Sequence, residues 1–568
     1  MNATTDAPRV KQQGTKVLSI GHPRFADADI QRLAHSEGEA AAWAEAFSRR
    51  GTDVARMVTG DFAVGLTAPD GSVFLAVDRF AIRTLCYRVV NNELRFAERA
   101  DDLADGGSSI DPQAIFDYLY IHAIPSPRTI FKGVFRVPPA HYVVFRNGQL
   151  AVAPYWVPEF EDNGRPDFPR LRDEFRQLLQ QAVERRFDGG KPGCFLSGGT
   201  DSSTVAGMLG LATGRTAATY SIGFKAEGYD EMEYARIAAR HFKTEHHEYY
   251  VTPEDVVRGV PDVATHYDQP FGNSSALPAY YCARMAKEDG VTRIMAGDGG
   301  DELFGGNSRY AKQRIFNWYR HFPGLLRTGV LEPVLGTAAA GRVPLVRKAA
   351  SYVEQASVPM PDRLKMYNLI TRLGTDDALT PGFLAAIDLD APLRLQREVW
   401  KSAHTQNDVN RELAFDWRFT LAESDLPKVC GTAALAGIDV TFPMLDADLL
   451  EFSLRLPAEY KLKGLKLRWF FKEALRGFLP DEILVKKKQG FGLPFGVWVT
   501  RHDKLRELAF ESIHGLVHRG ILRAAFVDEL VTHRLYEHPG YYGEMIWISM
   551  MLEQWLRARA PNFAMPSR

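Results

Sequence analysis

The apolar run Gly193-Cys194-Phe195-Leu196 ends abruptly in Ser197-Gly198-Gly199-Thr200-Asp201-Ser202-Ser203, and a helix-like run, Thr204 to Leu209, follows. This order predicts a strand, a tight glycine loop and a helix N-terminus. Such a junction presents backbone N–H groups and the positive end of a helix dipole to an anion. Small residues let a phosphate approach the backbone closely. Asp201 would repel a bare phosphate, so the loop implies a nucleotide phosphate with Mg²⁺ between them, a cation usually held by one or two carboxylates and phosphate oxygens. Ser-Gly-Gly alone also fits a plain turn with a serine N-cap; the strand before, the helix after and Asp201 favour the phosphate. No Lys-Ser or Lys-Thr follows the glycines and Gly-x-Gly-x-x-Gly is absent here, which excludes a Walker A loop and a dinucleotide fingerprint.

The loop resembles the pyrophosphate loop, Ser-Gly-Gly-x-Asp-Ser, of the ATP pyrophosphatases. Those enzymes split ATP between the α and β phosphates and activate a substrate as an adenylate. Around the loop, helical spacing over Leu171–Phe187 and Glu231–Phe242 alternates with strand-like Thr219–Phe224 and His246–Val251. That alternation predicts a parallel, doubly wound sheet, whose ligands bind beyond the carboxyl ends of the strands. His246 and His247 are adjacent on a strand and point to opposite faces, so they do not share a metal.

A second cluster, Ile294-Met295-Ala296-Gly297-Asp298-Gly299-Gly300-Asp301-Glu302, again runs a short strand into glycines and carboxylates. Three acids in one loop repel each other unless a cation is present. The cluster resembles the second signature of the C-terminal domain of the asparagine synthetase family. Carried over residue by residue, the resemblance implies that Asp201 and Asp301 hold Mg²⁺ on the pyrophosphate and that Asp298 stands near the acyl-adenylate. It also implies that Leu196, Ile222 and Gly297 line the adenosine pocket, and that Ser197, Gly198, Gly199 and Ser202 cradle phosphate. Lys486-Lys487-Lys488-Gln489-Gly490-Phe491 resembles the family's Lys-x-x-Phe element, which makes Lys488 the lysine that stabilises charge on the α-phosphate. Lys466 and Lys472 are weaker phosphate candidates.

The N-terminal third reads as strand-rich with helices alongside. Asn91-Asn92 and Asn147-Gly148 mark two hairpins. Gly60-Asp61-Phe62-Ala63, Asp78-Arg79-Phe80 through Tyr87, and Leu94-Arg95-Phe96-Ala97-Glu98 resemble the later half of the family's glutaminase domain, a sandwich of two antiparallel sheets between helices. That domain uses a cysteine exposed as residue 1. Here position 2 is Asn2, and no cysteine precedes Cys86, which falls inside an expected strand. The glutamine-binding stretch of the family is missing as well. The expectation is a degenerate N-terminal-nucleophile-like domain without glutaminase activity. Two further departures follow Lys428, where the family's Asp-Arg is Cys430-Gly431, and at Asp439 and Thr441, where the family has Glu and Arg.

The expected organisation is a disordered lead over 1–15, the glutaminase-like domain over 16–160, and an adenine nucleotide α-hydrolase-like synthetase domain with a helical extension over 161–568. The two domains are α+β and α/β respectively. At 568 residues the chain is too long for one core. A net charge of -1 argues against nucleic acid or an anionic membrane as partner. The polar start, the absence of an apolar run of about 18 residues and four scattered cysteines without a Cys-x-x-Cys pair point to the cytoplasm, with no membrane span, disulfide framework or zinc site. The expected activity is ATP-dependent amide formation through an acyl-adenylate, with ATP and Mg²⁺. The substrates would be a small-molecule or peptide carboxylate and an amine donor, and the partner a second copy or a biosynthetic protein. Asparagine synthesis from free or partner-supplied ammonia, and a catalytically dead partner-binding scaffold, are the alternatives.

Overall fold

The computed structural model describes residues 15–104, 109–161, 167–226, 228–320, 344–487, 490 and 492–566. Apart from Thr15, the expected lead lies outside these residues. The N-terminal part contains strands β1 (Lys16–Gly21), β2 (Phe62–Thr67), β3 (Val73–Val77), β4 (Cys86–Val90), β5 (Glu93–Ala97), β6 (Phe135–Arg136), β7 (His141–Arg146) and β8 (Gln149–Pro154). They form two antiparallel sheets, ordered β1-β2-β3-β7-β8 and β5-β4-β6. Side-chain alternation builds the layers. Phe62, Val64, Leu66, Phe74 and Ala76 face helices α1 (Ala28–Glu37) and α2 (Glu39–Arg50) around Trp43, whereas Ala63, Val73, Leu75 and Val77 face the second sheet with Leu85, Tyr87 and Val143. The two Asn-marked hairpins are present, with Asn91, Asn92, Asn147 and Gly148 all at positive φ, as a tight turn matching strand twist requires.

The C-terminal part is built on five parallel strands: β9 (Gly193–Phe195), β10 (Ala218–Phe224), β11 (Glu245–Val251), β12 (Arg293–Met295) and β13 (Asp439–Thr441). Their order is β11-β10-β9-β12-β13. After α3 (Pro112–Ile121) of the N-terminal part, helices α4 (Phe168–Glu184), α5 (Thr200–Thr213) and α6 (Met232–Phe242) pack in succession at one face of the sheet. Helices α7 (Pro253–His266), α8 (Ala276–Glu288) and α10 (Leu426–Ala436) cover the other, with the short α9 (Gly300–Phe304) following β12. Strand order therefore reverses between β9 and β12. A doubly wound sheet opens a crevice at that switch point, beyond the carboxyl ends of the two strands. The helical extension includes α11 (Trp469–Ala474) and ends in the 21-residue α12 (Pro539–Arg559), which buries Trp547 and Trp555. No helix among the described residues is long and apolar enough to cross a membrane.

Buried charge ties the two parts together. Asp446 is fully buried and caps the helix Ala447–Arg455 through the Asp448 amide, while its carboxylate takes Arg24 of the N-terminal part at 3.2 Å and Arg186 of the C-terminal part at 2.6 Å, with Arg185 beside them. Burial alone would raise the Asp446 pKa; Arg186, Arg185 and Arg24 outweigh it and hold the group at about 2. Nearby, Arg83 bridges Asp61 at 2.9 Å and Asp439 at 3.0 Å, and Asp439 also takes Arg293 at 2.8 Å. Because the folded pKa of Asp446 lies below the ordinary 3.8, its contribution is present above pH 4 and is lost as pH falls through about 2. The lost increment is about 2 kcal/mol. Denaturant titrations between pH 5 and pH 2 should show that loss in the parent chain and a flatter profile in Asp446→Asn.

Candidate active site

The phosphate loop is held by its neighbours in the sheet. Leu196 N donates to Tyr220 O at 2.9 Å and Ser221 Oγ donates to Leu196 O, so the end of β9 is fixed against β10. Ser197 N donates to Ser202 Oγ at 3.1 Å, and the two serine hydroxyls are 3.1 Å apart. These bonds fold the loop over the first turn of α5. Gly198 has φ +70°, and a Cβ there would lie 2.4 Å from Ala235 N, so only glycine fits.

The loop after β12 approaches from the neighbouring strand end. A Cβ on Gly300 would lie 2.1 Å from Asp201 Oδ1, so this glycine lets the two loops meet. Between them sits the guanidinium of Arg468. Its Nη1 donates to Asp201 Oδ2 at 2.7 Å, to Asp301 Oδ1 at 2.6 Å and to Thr200 Oγ1 at 2.9 Å, and Nη2 pairs with Asp201 Oδ1. Arg468 immediately precedes α11 with a left-handed backbone, φ 54°, and its guanidinium lies 4.0 Å over the Phe471 ring. Burial opposes its charge, but Asp201 and Asp301 more than compensate, so its pKa is raised. Two carboxylates from separate loops sharing one cationic nitrogen form an all-oxygen donor pair of the kind that suits Mg²⁺.

The cleft continues inward as a cavity of about 390 Å³. In its wall Lys428 Nζ lies 2.9 Å from Asp425 and 3.7 Å from Asp298. Burial pushes Asp298 up to about 6; Lys428 draws it down, and Asp425 and Asp201 push it further up. Burial works against the Lys428 charge, yet Asp425 and Asp298 raise its pKa overall. Asp425 closes a π-helical segment, Trp417–Asp425, that runs directly into α10; such wide turns are frequent at functional sites.

Leu196, Ser197, Asp201, Ser202, Ile222, Gly297, Asp298 and Asp301 all line this one cavity, and Gly198 and Gly199 complete the loop beside it. Lys488 lies outside the described residues. Of the weaker lysines, Lys466 is exposed, and Lys472 is half-buried with its pKa lowered by burial and by Arg468. Sequence reasoning passed over Arg468, Lys428 and Asp425 as site residues. It also missed Lys486, whose ammonium pairs with Glu231 at 3.0 Å and lies 4.5 Å from the Tyr234 ring centroid, beside the loop. The available signal was the basic run Lys461–Arg468, in which Lys461 and Arg468 turn inward and only the arginine reaches the two acidic loops. His246 and His247 fall on opposite faces as expected. His247 groups with Glu245 and Asp289 at the far end of the sheet, where Lys191 already lies 2.7 Å from Asp289 and 3.3 Å from Glu245.

The asparagine synthase family matches residues 174–557, and a glutamine amidotransferase domain matches residues 28–156. The chain belongs to the asparagine synthase family. It is similar to asparagine synthetase [glutamine-hydrolyzing] 1 of Bacillus subtilis, 26% identical over 453 residues, covering 78% of this chain and 69% of that protein. It is also similar to asparagine synthetase [glutamine-hydrolyzing] 3 of the same organism, at 23% identity with 83% and 72% covered. The amidase chry2 of Gibberella zeae is 24% identical, with 80% and 72% covered. The fold and these likenesses make the chain an asparagine synthetase-family ATP-dependent carbon–nitrogen ligase. Gly198→Ala should destabilise the chain by at least about 1–2 kcal/mol from its left-handed backbone alone. A lowered thermal midpoint relative to Gly214→Ala, also at positive φ but with no atom within 4 Å of its added Cβ, would isolate the contact.

Proposed function

We propose that this ligase activates a carboxylate as an acyl-adenylate, releasing pyrophosphate, and joins it to an amine or ammonia as AMP leaves. The observation that carries the reading is the convergence of Asp201 and Asp301, from adjacent strand ends, on one cation position beside the Ser-Gly-Gly loop. Asp201 and Asp301 would hold Mg²⁺ there, which would supply charge neutralisation for the departing pyrophosphate. The backbone of Gly198 and Gly199 and the hydroxyls of Ser197 and Ser202 hold the phosphates; Leu196, Ile222 and Gly297 flank the adenosine. Lys488 meets charge developing at the α-phosphate. Asp298, in the cavity wall, takes the proton of the attacking amine.

The substrates on this reading are a small-molecule or peptide carboxylate and an amine donor, with no nucleic acid or membrane partner, in the cytoplasm. A second copy or a biosynthetic protein is the expected partner. The ligase domain would span 161–568, and the glutaminase-like domain, over 16–160, would hydrolyse no glutamine. Support for that last point is chemical: Cys86 is fully buried in β4 and burial pushes its thiol up to about 12, so it is no thiolate nucleophile. The names of the bacterial relatives favour asparagine as the product; Cys430, Gly431 and Thr441 favour another.

Incubation with ATP, Mg²⁺ and a pool of acids that includes aspartate should release pyrophosphate and AMP, and no glutamate from added glutamine. ADP as the only nucleotide product overturns the adenylation reading, and glutamate release overturns the reading of the N-terminal domain. Asp298 must be ionised to act as a base, so amide formation should rise with pH through about 6. Asp298→Asn should remove that limb and slow amide formation by about 10²-fold or more, while acid-dependent exchange of pyrophosphate into ATP persists.

A further inference from the structure

Arg468 does more than accompany the two carboxylates. It occupies the place between them. One nitrogen of its guanidinium, Nη1, reaches Asp201, Asp301 and Thr200 at 2.6–2.9 Å, and Nη2 takes the other oxygen of Asp201. The side chain is nearly buried, at 6% exposure. Its surroundings are close: Phe471 lies under the guanidinium, Arg468 N donates to Gly305 O at 3.1 Å, and a Cβ on Gly306 would lie 2.8 Å from Arg468 Cδ. If it leaves the carboxylates, its next partner must lie inside the cleft.

We propose that Arg468 is a resident counter-ion that bars a divalent cation from Asp201 and Asp301 until phosphate oxygens arrive to receive the guanidinium. The inference rests on the reading of the cleft as an Mg²⁺–ATP site. A divalent cation alone would have to take both hydrogen-bonded carboxylates from Arg468 and leave a buried guanidinium with only the field of Glu302 to offset its charge, which is unfavourable. A cation arriving with a polyphosphate brings the replacement. Arginine meets phosphate oxygens through paired N–H donors as readily as it meets a carboxylate. Thr200 Oγ1, at the first turn of α5, keeps the guanidinium next to the phosphate loop throughout. Metal and nucleotide binding are therefore coupled through one side chain. The carboxylates discriminate a metal–nucleotide complex from free metal, and the arginine passes from carboxylate to pyrophosphate as the site fills.

The test is Mn²⁺ binding to the full-length protein followed by electron paramagnetic resonance, with no nucleotide present. The parent chain should bind Mn²⁺ weakly, and Arg468→Gln should bind it at least tenfold more tightly. Arg468→Lys, whose single ammonium cannot pair with Asp201 in two places, should fall between them and guards against a Gln variant that does not fold. In parallel, Mg²⁺–ATP affinity should fall in the same order, parent above Lys above Gln. Equal Mn²⁺ affinity in all folded variants, with Mg²⁺–ATP still bound by the parent, overturns the counter-ion inference and leaves the adenylation reading standing. A parent chain that binds no Mg²⁺–ATP at all overturns both.

Discussion

Asp201 and Asp301 both lie within hydrogen-bond distance of a single nitrogen, which places them no more than about 5 Å apart. At that separation two ionised carboxylates near a protein surface repel by roughly 3 kcal/mol. Much of the C-terminal domain is arranged to make the juxtaposition tolerable. The strand order brings the two loops to neighbouring strand ends, Gly198 and Gly300 let the backbones close up, and the residue before α11 adopts a left-handed conformation that aims its guanidinium between the acids. Without a cation the loops would separate or one acid would protonate. The site thus contains an answer to its own electrostatics before any ligand is considered.

The N-terminal part depends on the same logic at larger scale. Asp446 and Asp439 both belong to the ligase part, yet each takes an arginine from the N-terminal part, Arg24 and Arg83. Arg83 is itself placed by Asp78, whose buried carboxylate accepts from the amides of Phe62, Phe80, Ile82 and Arg83 and so folds the turn that carries it. A motif shared with a glutaminase domain therefore does structural work that needs no nucleophile. Trp156 extends the contact, stacking on Trp417 at 6.2 Å while Arg79 covers its other neighbourhood at 4.9 Å. Trp417 in turn donates to Glu302 O at 2.9 Å, within the second acidic loop, so the interface touches the element that carries Asp301.

What the sequence made legible were local features whose chemistry is complete in a few residues. The Ser-Gly-Gly loop needs its glycines because of backbone angles and contacts close by. The Asn-Gly and Asn-Asn turns need positive φ, and the strands between them alternate visibly. Arg468 was illegible for the opposite reason. In Lys461–Arg468 every second residue or so is basic, and a run like that is ordinarily a solvated face. Lys461 and Arg468 are buried while Lys463 and Lys466 are exposed. Nothing local selects between them. The choice is made by carboxylates some 170 and 270 positions away in sequence. Lys428 was likewise visible as a residue but not as a partner, because Asp298 reaches it only after the sheet forms.

The same distinction decides how to regard Cys430-Gly431, where the resemblance led to the expectation of Asp-Arg. As isolated letters these are two absent charges, which two substitutions could supply. In the folded chain a Cβ on Gly431 would lie 2.3 Å from the ring of Tyr267. That ring stacks on Phe271 at 4.7 Å, and its hydroxyl donates to the carbonyl of Lys428 at 3.3 Å. Cys430 meanwhile packs toward Ile82 in the turn that carries Arg83. An arginine at 431 would have to displace a half-buried tyrosine that helps hold the backbone of Lys428, the only lysine among the cavity's described lining residues. Overpacking of that kind typically costs 1–3 kcal/mol. Gly431 is therefore fixed by the packing of α10 against Tyr267, in the wall behind Asp298 and Lys428.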